Sequence, residues 1–426
     1  MSAFQAPTGT RDLYGADGAR VEALVARFAH LAHLAAFGLV VSPMFEDAGV
    51  FRRGVGEMSE VVTKEMYVFE DKGGRTLALR PEGTASVVRA FVQHRPTVPW
   101  KAWYVTPAFR YERPQAGRYR QHHQLGVEVL GSADPDLDVE VVALLAGFYA
   151  AVGLERVELR VNSMGDVGCM PAYRASLAAY LGARAGELCD EHAATWERNP
   201  LRVLDCKRAP CIAVREGAPR VAEALCDACA GHFARFTAGL DALGVAWRRD
   251  DFLVRGLDYY TRTTFEFASL ALDAAQNGIG GGGRYDGLVE QLGGPATPGI
   301  GFGSGIERIL LACEAEGLAS LGETTLDVFV LDVTGGAAAR DITHELRQAG
   351  ISAERSFDGR SLKSQLKQAD RSGARVACIV GPEELAAGSV TLRWLRRGLD
   401  AAAGPDAGQQ RVERGALAAT LDAWLR

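Results

Sequence analysis

The sequence predicts an α+β domain built on an antiparallel sheet, interrupted by a helical insertion and followed by a smaller α/β domain. Three observations support this fold class. Residues 66–70 and 76–79 read as two strands around a turn at 71–74, as in a hairpin. Alanine, leucine and charged residues dominate residues 171–246, which is typical of a small helical insertion. Beyond a linker at 316–325, strand and helix patterns alternate.

Length and composition narrow the class of protein. The chain has 426 residues, which favours two or three domains, and its 48% hydrophobic and 23% charged residues are those of an ordinary soluble globular protein. No apolar run approaches the ~20 residues of a membrane span. Residues 1–20 lack the apolar core of a secretory signal, so we expect a cytoplasmic protein. The net charge of −6 argues mildly against nucleic acid unless basic residues are locally concentrated.

The first element is a predicted amphipathic helix over residues 17–36. Its apolar side chains follow the i, i+3, i+4, i+7 spacing, and Gly38 stands where a helix commonly ends. Val40 and Val41 then indicate a short strand before Pro43. On this pattern alone, an ordinary surface helix is the preferred interpretation.

The last ~100 residues predict a separate domain with a parallel or mixed sheet. Its strands and helices alternate in the order Leu326–Asp332, Ala337–Ala349, Ile351–Ser356, Ser361–Asp370 and Val376–Val380. Arg360, Lys363, Lys367 and Arg371 recur at roughly helical spacing and form a basic stripe. Such a stripe is compatible with a solvated helix face or with contacts to a nucleic-acid backbone.

The segment 109–131 is unusually rich in arginine. Four arginines and two glutamates lie in two predicted strands around a turn at 114–117. Residues 124–130 alternate between polar and apolar, as in a half-buried strand. Guanidinium groups beside acceptors suit a site that holds phosphate together with a charged small molecule.

A second segment combines glycine with arginine. Gly299, Gly301, Gly303 and Gly305 alternate with larger residues, so a strand would place all four on one face. Without β-carbons, that face is a flat floor on which a planar ring can rest, and Arg308 can cover the ring by stacking. Close packing of a helix on a glycine-rich strand explains the spacing alone equally well.

These segments carry a family resemblance. Residues 109–112 with 124–128 resemble motif 2 of class II aminoacyl-tRNA synthetases, in the wording of the bacterial histidyl-tRNA synthetases. Residues 79–84, 255–260 and 299–308 agree with the same family, in the same order. The stretch from the first helix to Pro43 resembles motif 1, which in the family forms the dimer interface.

The resemblance implies a domain plan. It predicts a class II catalytic domain from residues 1–170 and 247–320, a helical insertion at 171–246, and an anticodon-binding α/β domain at 326–426. The sequence contains no Gly-x4-Gly-Lys-Ser/Thr loop and no dinucleotide-binding glycine motif at its first strand–helix turn, so a P-loop or doubly wound fold is not expected.

The resemblance also implies an activity. It predicts an ATP-dependent ligase that activates L-histidine to histidyl-adenylate, transfers it to tRNA(His), and works as a homodimer with Mg²⁺ on the ATP phosphates. The alternative is a histidine-sensing regulatory paralogue of ATP phosphoribosyltransferase, which lacks aminoacylation. A small-molecule ligase with adenylate chemistry is a third reading. The ligase is favoured, because the arginines of the family motifs (Arg110, Arg255 and Arg308) are present and the last ~100 residues form a predicted α/β domain.

The nucleotide residues follow from the resemblance. Arg110 is expected at the α-phosphate, Glu112 at the adenine amino group, Arg118 at the γ-phosphate and Arg308 on the adenine ring. Arg255 is expected opposite Arg110, stabilising charge where other class II sites use a metal ion. Arg110 and Arg255 are thus the predicted catalytic residues.

The amino-acid residues also follow from the resemblance. Glu82, Gly83 and Thr84 begin a predicted helix, so capping explains them equally well, but the family uses this segment to hold the α-ammonium. The remaining predicted histidine contacts are Gln124, Glu128, Arg255, Tyr259 and Tyr260. In this scheme the Glu128 carboxylate accepts a hydrogen bond from the imidazole N–H, and a tyrosine hydroxyl contacts the other nitrogen. Gly280–Gly283 are expected to form a flexible turn that lets the backbone approach a ligand, and the resemblance places this turn in the amino-acid pocket.

Two further sets of residues remain open on sequence alone, the tRNA contacts and a possible zinc site. For tRNA, Arg113 and Gln115 are expected near the acceptor end, and Arg360, Lys363 and Lys367 in the last domain. Cys206 and Cys211, with Cys226 and Cys229, form C-x4-C and C-x2-C pairs. That spacing is compatible with a structural zinc site, although buried or incidental thiols are the preferred interpretation.

Overall fold

The computed structural model describes residues 4–56, 59–254, 256–257, 259–273, 277–318, 321–322, 325–396 and 408–425. Arg255 therefore lies outside the described residues. The chain divides into two compact units, Met1–Gly322 and Glu323–Arg426. In the part of the chain that the structure describes, every helix is too short or too polar to cross a membrane.

The first unit is built on an antiparallel sheet. Its described strands are β1 Gly38–Leu39, β2 Phe45–Asp47, β3 Val68–Glu70, β4 Thr76–Leu79, β5 Trp100–Phe109, β6 Gln121–Leu130, β7 Val157–Ser163, β8 Arg248–Arg249, β9 Thr261–Ser269, β10 Gly278–Arg284 and β11 Gly299–Gly305. Eight of them form one sheet in the order β1-β5-β6-β11-β10-β9-β7-β8, and β2-β4-β3 form a small one. The large sheet is antiparallel except for its edge pairs, β1 with β5 and β7 with β8. The predicted antiparallel α+β fold is confirmed.

Helices cover one face of this sheet and supply the insertion. The described α-helices of the first unit are α1 Ala16–Leu34, α2 Ala48–Val55, α3 Thr84–His94, α4 Pro135–Val152, α5 Met170–Gly182, α6 Asp190–Ala193, α7 Leu201–Leu204, α8 Ala209–Glu216, α9 Asp227–Ala242, α10 Leu288–Gln291 and α11 Ile306–Ala315. Phe28 of α1 makes edge-to-face contacts with Trp103, Phe148 and Phe302, with ring centroids 5.2–6.1 Å apart. This aromatic cluster fastens α1 and α4 to β5 and β11.

Glycine lets the central strands β10 and β11 approach closely. The sequence suggested a flexible turn at Gly280–Gly283, but these residues lie inside β10, paired with β9 and β11. A β-carbon at Gly282 would overlap the Gly301 carbonyl oxygen, so a larger residue would push the strands apart. The glycine run is therefore sheet, and the interpretation as a turn was wrong.

The second unit is a mixed α/β domain, as predicted. Its described elements are β12 Val328–Asp332, α12 Ala337–Gln348, β13 Ala353–Arg355, α13 Leu362–Arg371, β14 Val376–Val380, α14 Pro382–Ala386, β15 Ser389–Trp394, β16 Gln409–Glu413 and α15 Leu417–Leu425. The sheet order is β13-β12-β14-β15-β16. Strand β12 pairs in parallel with β13 and β14, whereas β15 pairs antiparallel with both β14 and β16.

Candidate active site

A cavity of about 220 Å³ lies beside the glycine strands of the first unit. Its lining residues are Arg110, Glu112, Gly117, Arg118, Tyr119, His122, Gln124, Glu266, Gly278, Ile279, Gly280, Gly281, Gly303, Gly305, Glu307 and Arg308. The cavity brings together five predicted site residues that span almost two hundred positions of sequence: Arg110, Glu112, Arg118, Gln124 and Arg308.

Three of these side chains form what we call the arginine cluster, Arg110, Arg118 and Arg308. Arg118 Nε lies 2.6 Å from a Glu112 carboxylate oxygen, and Arg110 Nη1 lies 3.9 Å from the other. Arg308 donates to two backbone oxygens, at Gly117 (3.1 Å) and Gly278 (2.7 Å). Burial lowers the pKa of Arg308, and the neighbouring guanidinium groups of Arg118 and Arg110 lower it further. Their mutual repulsion is relieved by an anion, so the cluster suits a polyphosphate.

The hairpin between β5 and β6 delivers these arginines. Arg110 follows the last residue of β5 and extends the ladder, because its N–H donates to the Arg120 oxygen (2.9 Å). Gln115 and Arg118 exchange backbone hydrogen bonds of 3.1 and 2.9 Å, which closes the turn and returns Arg118 to the cavity. Arg113 and Gln115 are exposed at the tip of this hairpin, outside the cavity.

The cavity also contains titratable residues that the sequence did not suggest. Burial lowers the pKa of His122 to about 3, and the charges of Arg110 and Arg308 act in the same direction. The His122 imidazole is therefore neutral at pH 7. The Glu307 carboxylate accepts from the His123 backbone N–H (3.0 Å) and lies 2.8 Å from His123 Nδ1.

The glycines of β11 have two different uses. Gly303 and Gly305 line the cavity, and a β-carbon at Gly305 would meet nothing within 4 Å. A β-carbon at Gly301 would instead overlap the Glu128 carboxylate, and one at Gly299 would overlap the Tyr285 ring. The expectation that all four glycines form a floor was therefore wrong for Gly299 and Gly301, because neighbouring side chains already cover them. Of these four glycines, Gly303 and Gly305 face the cavity.

Beside the cavity lies a fully buried carboxylate, that of Glu128. Its oxygens accept hydrogen bonds from the hydroxyls of Thr84 (2.7 Å), Tyr104 (3.1 Å) and Tyr285. Burial raises the pKa of Glu128 to about 8, although the Tyr285 and Thr84 hydrogen bonds act against the shift. We call Glu128 and these three hydroxyl-bearing residues the carboxylate network.

Glu82 and Gly83 pack against this network at the start of α3. The Glu82 carboxylate accepts from the backbone N–H groups of Thr84 (2.6 Å) and Ala85 (2.8 Å), so it caps the helix in this structure. A β-carbon at Gly83 would overlap the Tyr104 ring. Burial raises the pKa of Glu82 as well. Two carboxyl groups are thus held in a dry region next to the arginine cluster.

The predicted tyrosines lie on the far side of the network. Tyr259 is buried, with its ring centroid 4.6 Å from that of Tyr260 and 5.7 Å from that of Tyr285. Burial raises the pKa of Tyr259, and the charges of Glu82 and Glu128 contribute. Tyr260 lines a separate small cavity of about 50 Å³ beside insertion residues such as Asn199. Neither tyrosine lines the larger cavity.

Tyr104 and Tyr285 were missed by the sequence reasoning. Tyr104 is paired with Gly126 across β5 and β6, and a β-carbon at Gly126 would overlap the Tyr104 ring. A glycine inside an otherwise alternating strand was the available indication of a large side chain opposite it.

The basic side chains predicted to contact tRNA in the second unit are exposed: Arg360, Lys363 and Lys367. Lys363 and Lys367 lie one turn apart on α13 and line a shallow surface depression. Arg360 precedes the helix and lies 3.6 Å from Asp358. The side chains share a region of surface, which is compatible with either interpretation of the basic stripe.

The cysteines of the insertion lie in two separate clusters, and each cluster contains one of the two pairs that the sequence spacing indicated. Cys206 and Cys211 lie with Cys189 and His192, whereas Cys226 and Cys229 lie with Asp166 and Cys169. The fold does not bring the two pairs together into the single site that the spacing allowed, because each pair has closer partners: Cys189 and His192 in the insertion, and Asp166 and Cys169 just before it.

An antiparallel sheet with an Arg-x-Glu hairpin, and a glycine strand that leads into a helix whose first turn carries arginine, define a class II aminoacyl-tRNA synthetase. The sequence profile of histidyl-tRNA synthetase matches residues 9–309, and that of an anticodon-binding domain matches residues 327–423. The chain belongs to the histidyl-tRNA synthetase family.

Similar proteins agree with this assignment. The chain is 48% identical over 421 residues to a histidine–tRNA ligase of Moorella thermoacetica, covering 98% of this chain and 96% of that protein. It is 51% identical over 391 residues to a histidine–tRNA ligase of Anaeromyxobacter dehalogenans, covering 91% and 94%. The structure resembles apo S. aureus histidyl-tRNA synthetase, with a TM-score of 0.80, 33% identity and coverage of 98% and 99%. The regulatory-paralogue alternative is not favoured.

Proposed function

We propose that this chain uses ATP to activate L-histidine and transfers the histidyl group from the adenylate to tRNA(His). The observation that carries the proposal is the contact between two environments in one site. A cavity bordered by three guanidinium groups adjoins a buried carboxylate network of the kind that recognises a polar ring. The relatives named histidine–tRNA ligase, which cover nearly the whole chain, support the same activity.

ATP would occupy the arginine cluster. Arg110 and Arg118 are held in place by Glu112, so their guanidinium groups face incoming phosphates with little reorganisation. Gly303 and Gly305 leave a flat surface for adenine, and Arg308 is positioned to stack on it. Mg²⁺ would enter with the β- and γ-phosphates. Glu266 offers the carboxylate oxygens that this ion prefers.

Histidine would enter beside Glu128. In our proposal its imidazole N–H donates to the Glu128 carboxylate and replaces one of the hydroxyl donors, while Glu82 and Thr84 receive the α-ammonium. An amino acid without a polar ring could not replace the hydroxyl donor that it displaces from Glu128, and such a mismatch discriminates by ~10⁴–10⁵-fold in other polar pockets. Gln124 faces the cavity and completes this side, Tyr259 and Tyr260 support it from behind, and Arg255 is assigned to the reacting carboxylate.

Transfer needs tRNA at both units. We assign Arg113 and Gln115, exposed on the hairpin tip, to the acceptor end, and Arg360, Lys363 and Lys367 to the nucleic-acid backbone at the second unit. We propose a cytoplasmic location, where ATP and tRNA are both available.

We also propose a homodimer formed through the motif 1 region. Exposed apolar side chains concentrate there, including Leu34, Leu39, Val41, Met44 and Phe45, which are 52–84% exposed. The short strand β1 also forms an edge of the large sheet. Apolar side chains along a sheet edge are typical of a surface that another chain covers.

ATP–pyrophosphate exchange with each of the twenty amino acids tests the proposed activity. We expect exchange with histidine alone. No exchange with any amino acid, under conditions where the protein is folded and binds histidine, would contradict the proposal and favour a sensor.

A further inference from the structure

Cysteine is concentrated in the helical insertion and in the segment just before it. Of the eight cysteines in the chain, six lie between residues 169 and 229, and each of these six belongs to one of two four-residue clusters. The other two, Cys313 and Cys378, are buried in helix and strand packing elsewhere. Thiols that merely fill core space would not be expected to gather in this pattern.

The first cluster contains Cys189, His192, Cys206 and Cys211, with a spacing of C-x2-H-x13-C-x4-C. The Sγ atoms of Cys189 and Cys206 are 4.0 Å apart. His192 Nδ1 lies 3.2 Å from Cys189 Sγ and 3.8 Å from Cys211 Sγ. All four ligand atoms lie within 4.8 Å of one another.

These separations are close to the edges of a zinc tetrahedron. Bond lengths of ~2.3 Å to sulfur and ~2.05 Å to nitrogen imply edges of about 3.8 Å between sulfurs and about 3.6 Å between sulfur and nitrogen. The backbone N–H of Cys189 also lies 3.4 Å from Cys211 Sγ, the kind of contact that supports a metal-bound thiolate. Small side-chain adjustments would place four ligands around one ion.

The local structure needs such a cross-link. The cluster joins α6 and α7, helices of four residues each, to α8, a helix of eight. Helices this short are not stable in isolation. Cys189, Cys206 and Cys211 are also buried members of the insertion's own small core. A metal ion at this position would therefore fasten the three short helices to one another, in addition to their contacts in this core.

We propose that Cys189, His192, Cys206 and Cys211 bind a structural Zn²⁺ ion that holds the helical insertion together. With four protein ligands and a largely buried position, the site has no open coordination position for catalysis. It is independent of the nucleotide and histidine sites.

Separate contacts, between the segment that precedes the insertion and a helix within it, support a second zinc site. Asp166, Cys169, Cys226 and Cys229 also place their ligand atoms within 4.8 Å of one another. Cys169 Sγ lies 3.4 Å from an Asp166 carboxylate oxygen and accepts from the Cys226 backbone N–H at 3.1 Å. This site would tie the segment after β7 to the start of α9.

The first experiment measures metal in the full-length protein, purified without a histidine tag and without chelator. We expect two zinc ions per chain by elemental analysis. Cys206→Ser should retain only the ion of the second site, and Cys229→Ser only that of the first. Cys378→Ala, which removes a buried thiol outside both clusters, is the matched control and should retain both.

A second measurement uses the unmodified chain, so it does not depend on how the variants fold. Titration with an organomercurial should release zinc as thiolates are blocked, and cobalt substitution should produce thiolate-to-cobalt charge-transfer and tetrahedral ligand-field bands. Less than about 0.2 zinc per chain with free thiols, or disulfides within the clusters, would overturn the proposal. A single zinc ion in the unmodified chain that Cys229→Ser retains and Cys206→Ser loses would overturn the second site only.

Discussion

The two halves of the candidate active site, the arginine cluster and the carboxylate network, are built in opposite ways. The arginine cluster borders an open cavity, and its cations are held by Glu112 and by backbone oxygens. The carboxylate network is closed: Glu128 is fully buried and its partners are hydroxyl groups that fill the adjoining space. One half is charged and ready for a ligand, whereas the other is dry and occupied by its own side chains.

This difference indicates how each ligand would be recognised. Phosphates can enter the arginine cluster without displacing protein groups, so affinity there comes from preorganised charge. The imidazole must replace a hydroxyl donor on Glu128, so binding there depends on exchanging one hydrogen bond for another. Mutations in the open half should therefore alter chemistry, and mutations in the closed half should alter selectivity and stability.

The largest expected effect is at Arg110. Arg110→Ala should lower kcat for histidine-dependent pyrophosphate exchange by about 10³-fold, because a preorganised cation next to the developing charge is lost. The melting temperature should change little. Arg235→Ala, which removes an exposed guanidinium paired with Asp136, is the control and should keep full activity. Near-normal exchange by Arg110→Ala would remove Arg110 from the mechanism.

Glu128→Gln should act on histidine and not on ATP. The amide keeps the shape of the side chain but cannot offer a carboxylate to the imidazole N–H, so KM for histidine should rise about 10–100-fold. KM for ATP should stay within about twofold, because the arginine cluster is unchanged. Steady-state pyrophosphate exchange at varied histidine and ATP concentrations measures the two KM values separately. Equal increases in both constants would show that the halves are not independent.

Two glycine variants sharpen the contrast between the halves. Gly301→Ala should lower the free energy of unfolding by about 1–3 kcal/mol, since its β-carbon would overlap the Glu128 carboxylate. Gly305→Ala faces open space and should leave stability unchanged while weakening ATP binding. Chemical denaturation and nucleotide titration measure the two effects. If Gly301→Ala were as stable as the unmodified chain, the closed half would be less tightly packed than described.

The smallest predicted effect is a pH dependence. Glu128 has a pKa of about 8 in the folded, unliganded chain, so it is mostly protonated at pH 7. An imidazole N–H requires the ionised form, so histidine binding below pH 8 should release a proton. Affinity should then rise about eightfold from pH 7 to 8.5 through this group alone.

The same pKa predicts a change in stability with pH. Because the folded pKa lies above the unfolded value, the Glu128 contribution favours folding at low pH and is lost as pH rises from about 4.5 to 8. The proton release on histidine binding is measured by titration calorimetry in buffers of different ionisation enthalpy. Glu128→Gln should abolish the part of that release that comes from Glu128. An identical release in this variant would contradict the assignment.

The sequence was informative about site residues that lie on one local element of structure. It was less informative about residues whose role depends on tertiary packing. The family resemblance named Arg110, Glu112, Arg118 and Arg308, and the structure brings all four to one cavity, because they lie on a single hairpin and at a strand–helix junction. Tyr104 was not predicted, because its role arises from cross-strand pairing with Gly126 and contact with Glu128.

The cysteines and the glycine run illustrate the same limit. Spacing grouped Cys206 with Cys226, but their neighbours come from helices and loops that only the tertiary fold brings together. Gly280 to Gly283 suggested a turn because glycine is frequent in turns, whereas here glycine is required for close strand approach. Local residue preferences do not distinguish these two uses.

The most direct test of the account is a crystal structure of the chain with a non-hydrolysable histidyl-adenylate analogue. We expect an imidazole nitrogen within about 3.2 Å of a Glu128 oxygen, with a hydroxyl donor displaced. The phosphate mimic should lie against Arg110, and the adenine on Gly303 and Gly305 beneath Arg308. An analogue bound elsewhere, or a Glu128 still bonded to Thr84, Tyr104 and Tyr285 with no ligand nearby, would contradict the central claim.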